Sequence, residues 1–442
     1  MPVLVPDLIW SQNSLLPGFA LWIAGERILR VAPVAELGPD DHPIYLRGKV
    51  LLPGLVNAHS HAFQRGLRGH VQWSQGQDSF WAWRDRMYGL ANRLDPEGVE
   101  AISALCFLEM VRAGFTSVGE FHYLQHQPDG HPYADPDELA LRVAAAAEKV
   151  GIRLVVLRVA YGRAGHGLPP NPLQRRFYDR GPEDVLAAAQ RLRARGLSVG
   201  IAPHSTRACT LDWLRELAIF EGPIHAHVDE QPAEVQASQK EYGIPPLEVY
   251  GQAGLLSPNF TAVHFTHPSE GESRLLRERG ARVCVCPTTE LDLGDGLFPA
   301  ESLGDVPLCI GSDSHAMIDP FTELRSLEWN TRARTGQRNV LVPHDRPDSL
   351  AAALWKIGSE GGADALHLPT GRLEAGMYAD LVALDLERLE LVGARPLPGI
   401  VFSGNPSFVQ DVWVGGRQVV EGGRHRAEAS IRAASLRVMA DF

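Results

Sequence analysis

Short apolar segments alternate with amphipathic ones through the middle of the chain, and this alternation predicts strands that are followed by helices. Continuous apolar runs that end in polar residues are typical of buried parallel strands. Several of the intervening segments begin with Asp, Ser or Gly and end in Gly, as helix capping requires. The strand pattern occurs in VLLPGLVNAHSH (50–61), TSVGEFHY (116–123), RLVVLRVAYG (153–162), LSVGIAPHS (197–205), PIHAHVDE (223–230), FTAVHFTHP (260–268), RVCVCPTTE (282–290) and PLCIGSDSH (307–315). The helical pattern occurs in 95–114, 135–151, 181–196, 211–220 and 269–280.

These strand–helix repeats predict an α/β fold, a (β/α)8 TIM-type barrel. A doubly wound open sheet shows the same alternation and is the structural alternative. The two ends of the chain are richer in short β patterns and Gly-containing turns, as in GRLEAGMYADLVALDL and DVWVGGRQVVEGG. We therefore expect a barrel over 50–369 and a small β-sandwich domain formed by 1–49 and 370–442. The segment 343–366 is predicted to be a helix that leads out of the barrel.

Composition restricts the classes of function. The formal net charge of −11 and the absence of a basic tract argue against a nucleic-acid partner. The N-terminus lacks the features of a signal peptide, and no apolar stretch is long enough to span a bilayer, so no membrane partner is expected. The five cysteines are sparse and odd in number, which fits a reducing compartment. The expected location is the cytoplasm.

Side chains that bind metals or transfer protons follow the carboxyl ends of several predicted strands. His59 and His61 are two residues apart, so at a strand end they share a face and lie ~6.6 Å apart along the chain. Two such imidazoles can close on one cation, although the motif alone also fits a pair of polar loop histidines. In a barrel the strand ends form one active-site face, so we expect these groups to converge rather than to be satisfied separately in the core. The candidates are His59, His61, Glu120, His122, Tyr123, His204, His225, His227, Glu230, His264, His267, Asp313 and His315.

The motifs NAHSH, HVDE and GSDSH, together with His264, resemble the amidohydrolase superfamily. The flanking segments LLPGLVNAHSH and GRLEAGMYADLVALD are similar to its members, and the resemblance covers nearly the whole chain. Further matching segments are similar to members of the deaminase branch that release ammonia from a formimino group, and among them SFWAWR, EFHY and HS-x-R are the more specific. The matching segments are HSHAFQR, SFWAWRDRMY, EFHY, HSTRA, HVDEQ, HFTH, GDGLFPA and GSDSH.

The resemblance implies a ligand set for one divalent metal ion, expected to be zinc. Predicted strands three and four contain no lysine, the residue that bridges two metals after carboxylation in binuclear members, so a single ion is favoured. By the same resemblance, Asp313 would accept a proton from water, Glu230 would protonate the leaving nitrogen, and His264 would hydrogen-bond the reacting centre. The implied ligands are His59, His61, His227 and Asp313.

The resemblance also implies a small-molecule substrate, a cationic amidine that carries two carboxylates. Arg84 and Arg207 would bind those carboxylates through their guanidinium forks. Gln64, Tyr123 and His204 match the remaining polar contacts. The alternative for each arginine is a salt bridge over the barrel rim, and the alternative for Tyr123 is a packing role.

Other functions share parts of this pattern. A purine, pyrimidine or triazine aminohydrolase would use the same metal ligands without needing two carboxylate-binding arginines. Imidazolonepropionase acts on a substrate with one carboxylate, and a non-catalytic scaffold would have lost ligands that are intact here. Related enzymes are often dimers through the barrel, so a homodimer is expected. Arg65 is predicted to be structural, and Cys284 and Cys286 are predicted to be buried apolar residues.

Overall fold

The structure is a computed structural model that describes residues 1–11, 13–73, 80–342, 345–346 and 349–440. The strands are β1 (Pro2–Ser11), β2 (Ser14–Leu16), β3 (Phe19–Ala24), β4 (Arg27–Pro33), β5 (His42–Pro53), β6 (Leu55–Ser60), β7 (Phe115–His122), β8 (Arg153–Ala160), β9 (Ser198–Pro203), β10 (Ile224–Val228), β11 (Phe260–His264), β12 (Arg282–Val285), β13 (Leu308–Ile310), β14 (Leu381–Asp385), β15 (Val409–Val414), β16 (Arg417–Glu421) and β17 (Arg424–His425). The helices are α1 (Phe80–Arg93), α2 (Pro96–Arg112), α3 (Glu138–Val150), α4 (Pro182–Ala194), α5 (Leu211–Leu217), α6 (Pro232–Tyr242), α7 (Pro246–Ala253), α8 (Glu270–Arg279), α9 (Pro287–Leu293), α10 (Pro320–Thr335), α11 (Leu350–Lys356), α12 (Gly362–Ala365), α13 (Pro396–Ser403) and α14 (Glu428–Met439).

Strands β6 to β13 form the predicted parallel barrel. They are hydrogen-bonded in chain order, each parallel to the next. The first and last strands approach each other through a parallel bridge between Ser60 and Asp313, and the Asp313 amide donates to the His59 carbonyl at 3.0 Å. The sheet is therefore nearly closed. Its strands are buried on both faces, which explains why they read as continuous apolar runs.

The segment 50–61, predicted as one barrel strand, is divided between two sheets. Residues 50–53 end β5 and pair antiparallel with β14, whereas β6 begins at Leu55. The change of sheet occurs at Gly54, where a Cβ atom would lie 2.3 Å from the Thr116 Cγ2. Each sheet buries its part of this run, so the run is apolar throughout. Its hydrophobic pattern therefore does not show where β5 ends and β6 begins.

The two ends of the chain pair into one mixed sheet, as expected. Its order is β17-β16-β15-β14-β5-β1-β3-β4, with β2 on β1. β1 is parallel to β5, and the other pairs are antiparallel. A bidentate ion pair joins this sheet to the barrel, because Arg153 at the start of β8 bonds both carboxylate oxygens of Asp380 at 2.9 and 3.0 Å. The finer description as a β-sandwich, and the domain limits 1–49, 50–369 and 370–442, stay predictions.

The prediction of one helix over 343–366 is only partly correct. α11 begins at Leu350 and continues as a π-helix over Ile357–Gly361 before α12. The wider turn brings glycine backbone against the barrel, since a Cβ on Gly361 would lie 2.1 Å from the Leu308 carbonyl oxygen. Residues 343, 344, 347 and 348 of the predicted helix lie outside the described residues, as does Ser79 of the SFWAWR motif. None of the described helices has the length and apolar character needed to cross a membrane.

Candidate active site

The four predicted metal ligands meet at the barrel mouth. His59 lies on β6, His61 directly follows it, His227 lies on β10, and Asp313 follows β13. The Nε2 atoms of His59 and His61 are each 3.2 Å from Asp313 Oδ1, and one ligand atom from each of the four residues lies within 4.8 Å of the others. All four side chains are buried. Residues that are up to 254 positions apart thus surround a common point.

Backbone carbonyls orient two of these imidazoles. His61 Nδ1 donates to the Phe121 carbonyl at 3.1 Å, and His227 Nδ1 donates to the His204 carbonyl at 2.9 Å. A carbonyl can only accept, so the proton resides on Nδ1 and the Nε2 lone pair is left for a metal. Burial lowers the pKa of His227 to about 3, which keeps the ring neutral, as a ligand must be. Three nitrogens and one carboxylate suit a catalytic zinc-type ion that retains a position for water.

His264 and Glu230 lie beside the ligand set. His264 Nε2 is 3.9 Å from Glu230 Oε1 and 4.0 Å from Asp313 Oδ2. Burial opposes protonation of His264, but Glu290, 3.3 Å from its Nδ1, and the nearby carboxylates outweigh this effect and raise its pKa to about 10. His264 and Asp313 have positive φ angles of 73° and 42°. Such strain in non-glycine residues is common where a fold must direct side chains into a functional site.

A cavity adjoins the ligand set, with an empty volume of about 640 Å³ when its open mouth is included. Gln64 Nε2 donates to the Tyr123 hydroxyl at 2.6 Å, whereas the buried Gln64 Oε1 has no hydrogen-bond partner among the described residues. Burial lowers the pKa of His204 well below its usual range, so this ring is neutral. The predicted substrate contacts on the cavity wall are Gln64, Arg84, Tyr123, His204 and Arg207.

Arg207 has protein partners that the sequence did not reveal. Its Nη2 donates to Glu230 Oε2 at 2.6 Å, and its Nε is 3.9 Å from Glu234 Oε1. Burial alone would raise the pKa of Glu230, but the charges of Arg207, His264 and His227 together lower it below its ordinary value. Glu234 and Glu290 are therefore two site residues that the sequence analysis missed. Glu290 does follow a predicted strand, whereas Glu234 has no such signal because it lies in the first turn of α6.

The remaining candidates from the strand ends support the barrel. Their side chains bond to neighbouring protein groups: Glu120 to Ser60 and the Ala62 amide, His225 to the Ala365 carbonyl, His267 to the Asp295 carbonyl and His315 to Ser312. Burial, together with the charge of Arg158, lowers the pKa of His122 to about 3. Arg65 pairs with Glu109, consistent with a structural role. Cys284 and Cys286 are buried, as predicted.

Comparison with known proteins gives matches over nearly the whole chain. The model of the Amidohydrolase family matches residues 50–419. Formimidoylglutamate deiminase of Pseudomonas aeruginosa is 39% identical, over 98% of this chain and 99% of its own length. An amidohydrolase structure from Brucella melitensis superposes with a TM-score of 0.91 at 36% identity and covers 100% of this chain and 99% of its own. A zinc-bound adenosine deaminase from Xanthomonas campestris superposes with a TM-score of 0.84 at 25% identity, over 100% and 98% of the two chains.

Proposed function

Because this chain belongs to the amidohydrolase family, we propose that it hydrolyses N-formimino-L-glutamate to N-formyl-L-glutamate and ammonia, a step of histidine degradation. The observation that carries the proposal is the combination of groups around one cavity. Carboxylates suited to a cationic amidine lie beside the metal ligands, and two arginines suited to an acidic tail lie on the wall. The full-length similarity to the Pseudomonas deiminase supports the same reaction.

The ligand set fits one divalent ion, and we propose zinc. Held by His59, His61, His227 and Asp313, such an ion would supply Lewis acidity that lowers the pKa of water toward 7. Strands β8 and β9 contain no lysine, which favours a single ion per chain. Metal analysis of the purified protein should find about one equivalent, in keeping with the four predicted ligands. Two equivalents would contradict the mononuclear scheme.

Asp313, Glu230 and His264 have separate roles in the proposed reaction. Asp313 Oδ1 faces the histidines, whereas Oδ2 faces His264 and is the oxygen that accepts a proton from the attacking water. Glu230 delivers a proton to the departing nitrogen, so that ammonia leaves rather than an amide anion. His264 donates a hydrogen bond to the oxygen that bonds the amidine carbon. One C–O bond forms, one C–N bond breaks, and the products are an N-formyl group and ammonia.

Substrate orientation follows from charge. The amidinium carbon is placed near Glu230 and Asp313, and the two carboxylates of the glutamate portion extend toward Arg84 and Arg207. Each guanidinium can bind a carboxylate through two parallel hydrogen bonds, which fixes direction as well as distance. Gln64, through its unpartnered Oε1, contributes a further polar contact with the substrate. Self-association as a homodimer and a cytoplasmic location stay predictions from the sequence.

An ammonia-release assay tests the function. N-formimino-L-glutamate should have the highest kcat/KM in a panel with guanine, cytosine and N-formiminoglycine. Arg207→Met should lower kcat/KM for N-formimino-L-glutamate. The lost transition-state stabilisation should be about 2–3 kcal/mol, the cost of losing a charged hydrogen-bonding partner. Equal turnover of N-formiminoglycine would reject the assigned carboxylate-binding roles, and faster turnover of a nucleobase would reject the proposed substrate.

A further inference from the structure

Arg207 is shared between two buried glutamates in the structure. Its Nη2 bonds Glu230 Oε2 at 2.6 Å, while its Nε lies 3.4 Å from Ser205 Oγ and 3.9 Å from Glu234 Oε1. The Glu234 side chain is fully buried, and its Oε2 accepts the Glu230 amide at 3.0 Å. The Nε edge of the guanidinium is thus held by groups fixed to the fold, whereas the Nη2 end is bound by a residue on the cavity wall.

This pairing conflicts with both functions proposed for its members. While Arg207 Nη2 donates to Glu230, the hydrogen that makes this bond is not available to a substrate carboxylate. While Glu230 is bonded to Arg207, its affinity for a proton is reduced, which makes it a poor carrier of protons to a leaving nitrogen. Both residues line the same cavity as the proposed substrate, so one change of partner resolves both conflicts.

Resting on the proposed function, we infer that a carboxylate of the substrate replaces Glu230 on Arg207 and that this exchange frees Glu230 for proton transfer. The acidic tail therefore activates the chemical step as well as strengthening binding. Arg207 keeps its position during the exchange because its own loop is fixed. Arg163 donates to the Thr206 carbonyl at 2.7 Å and to the Arg207 carbonyl at 3.1 Å. Because the exchange requires a carboxylate, an amidine without one is a poor substrate even when it reaches the reacting groups.

The test separates the amidine from the carboxylates. Formamidine is the smallest amidine, and its hydrolysis forms the same C–O bond and breaks the same C–N bond, giving formamide and ammonia. Added glutarate supplies the two carboxylates in trans. We expect glutarate to raise kcat/KM for formamidine about ten-fold or more in the metal-loaded enzyme. Glutaramide, and sodium chloride at matched ionic strength, should have no such effect. Failure of glutarate to activate, including no turnover under either condition, would overturn the exchange.

Two variants distinguish the exchange from simple binding. Arg207→Met removes the cation that restrains Glu230, so formamidine turnover should rise above that of the wild type and become independent of glutarate. A residue that only binds substrate would leave formamidine turnover unchanged, and a residue that only stabilises the fold would lower it; either result contradicts the inference. Arg84→Met is the comparison variant: it removes the other cavity arginine and should weaken glutarate binding, but saturating glutarate should still activate formamidine hydrolysis through the Arg207–Glu230 pair.

The proposed function and the exchange fail in different ways. If N-formimino-L-glutamate is not hydrolysed, the proposed function is wrong and the exchange is rejected with it. If it is hydrolysed, but glutarate does not activate formamidine hydrolysis in the wild type, only the exchange is wrong. Thermal unfolding of each variant shows whether it is folded, and the glutarate titration of the wild type tests the inference without any substitution.

Discussion

A methyl group added at Gly311 should displace a metal ligand while the barrel remains folded. Gly311 precedes the Ser312–Asp313 turn and lies against β6. A Cβ at this position would be 2.7 Å from His59 Cβ and 2.9 Å from both the His59 carbonyl oxygen and Cys286 Sγ. His59 Cβ would have to retreat by about 0.8 Å to reach an ordinary carbon–carbon contact of about 3.5 Å.

That displacement is large for a metal site but tolerable for a core. Metal–ligand distances are held to about 0.2 Å, so a shift of this size removes His59 from the ligand set. Overpacking a core by one methyl group typically costs 1–3 kcal/mol, which a large domain can survive. Gly311→Ala should therefore lose its metal ion and reduce kcat/KM for ammonia release about 100-fold or more, the cost of misplacing a catalytic group by ~1 Å.

The assay combines metal content, ammonia release and the thermal unfolding midpoint. Gly89→Ala is the matched control, because Gly89 lies in α1 with no atom within 4 Å of its added Cβ. That variant should keep its metal and activity and gain up to about 1 kcal/mol in stability from better helix propensity. Gly311→Ala with a full equivalent of metal and wild-type kcat/KM would refute the reasoning, since the neighbouring strand would then have accommodated the methyl group without moving His59.

Three further predictions follow from the same structure. Removal of the metal by a chelator should abolish ammonia release and lower the thermal unfolding midpoint, and one equivalent of zinc should restore both; activity that survives complete metal removal would contradict the assigned ligands. Asp380→Asn should cost about 3 kcal/mol in urea unfolding, at the low end for a broken buried pair because Arg153 is 18% exposed; a cost below about 1 kcal/mol would show that this ion pair does not join the two sheets. His122 binds its proton below pH ~6.5 when unfolded but only below about pH 3 when folded. Each unit by which the pH falls between these values therefore lowers the free energy of unfolding by about 1.4 kcal/mol. His122→Gln should reduce the number of protons taken up on unfolding between pH 4 and 6 by one, so the unfolding free energy should vary less steeply with pH. An unchanged slope would refute the assignment.

The barrel and the convergence of its candidate metal ligands could be predicted because both depend on regular patterns. Buried parallel strands are apolar along their whole length, and the residues that follow them share one end of the barrel. His59, His227 and Asp313 are far apart in sequence, yet each is placed by the end of its own strand. The motif resemblance implied that these residues bind one ion together, which the hydrophobic periodicity alone could not indicate.

Features that depend on close packing could not be predicted. The break at Gly54 lies within an apolar run, and only the contact with Thr116 shows why the chain must change sheets there. The π-helix at Ile357–Gly361 likewise depends on the approach of glycine backbone to the barrel. The Arg207–Glu230 pair joins two residues with separate roles in the sequence analysis, and nothing in either motif indicates that they bond each other.

The seam that closes the barrel, where Ser60 on β6 meets Asp313 after β13, also determines when the metal site can be completed during synthesis. His59 and His61 leave the ribosome early, but Asp313, on the other side of the seam, follows more than 250 residues later. A nascent chain that has not yet supplied the last strand holds at most three of the four ligands and has an open sheet edge. Stable capture of a metal ion by all four predicted ligands must therefore follow barrel closure, and the ion would stabilise a contact between residues 254 positions apart rather than nucleate folding.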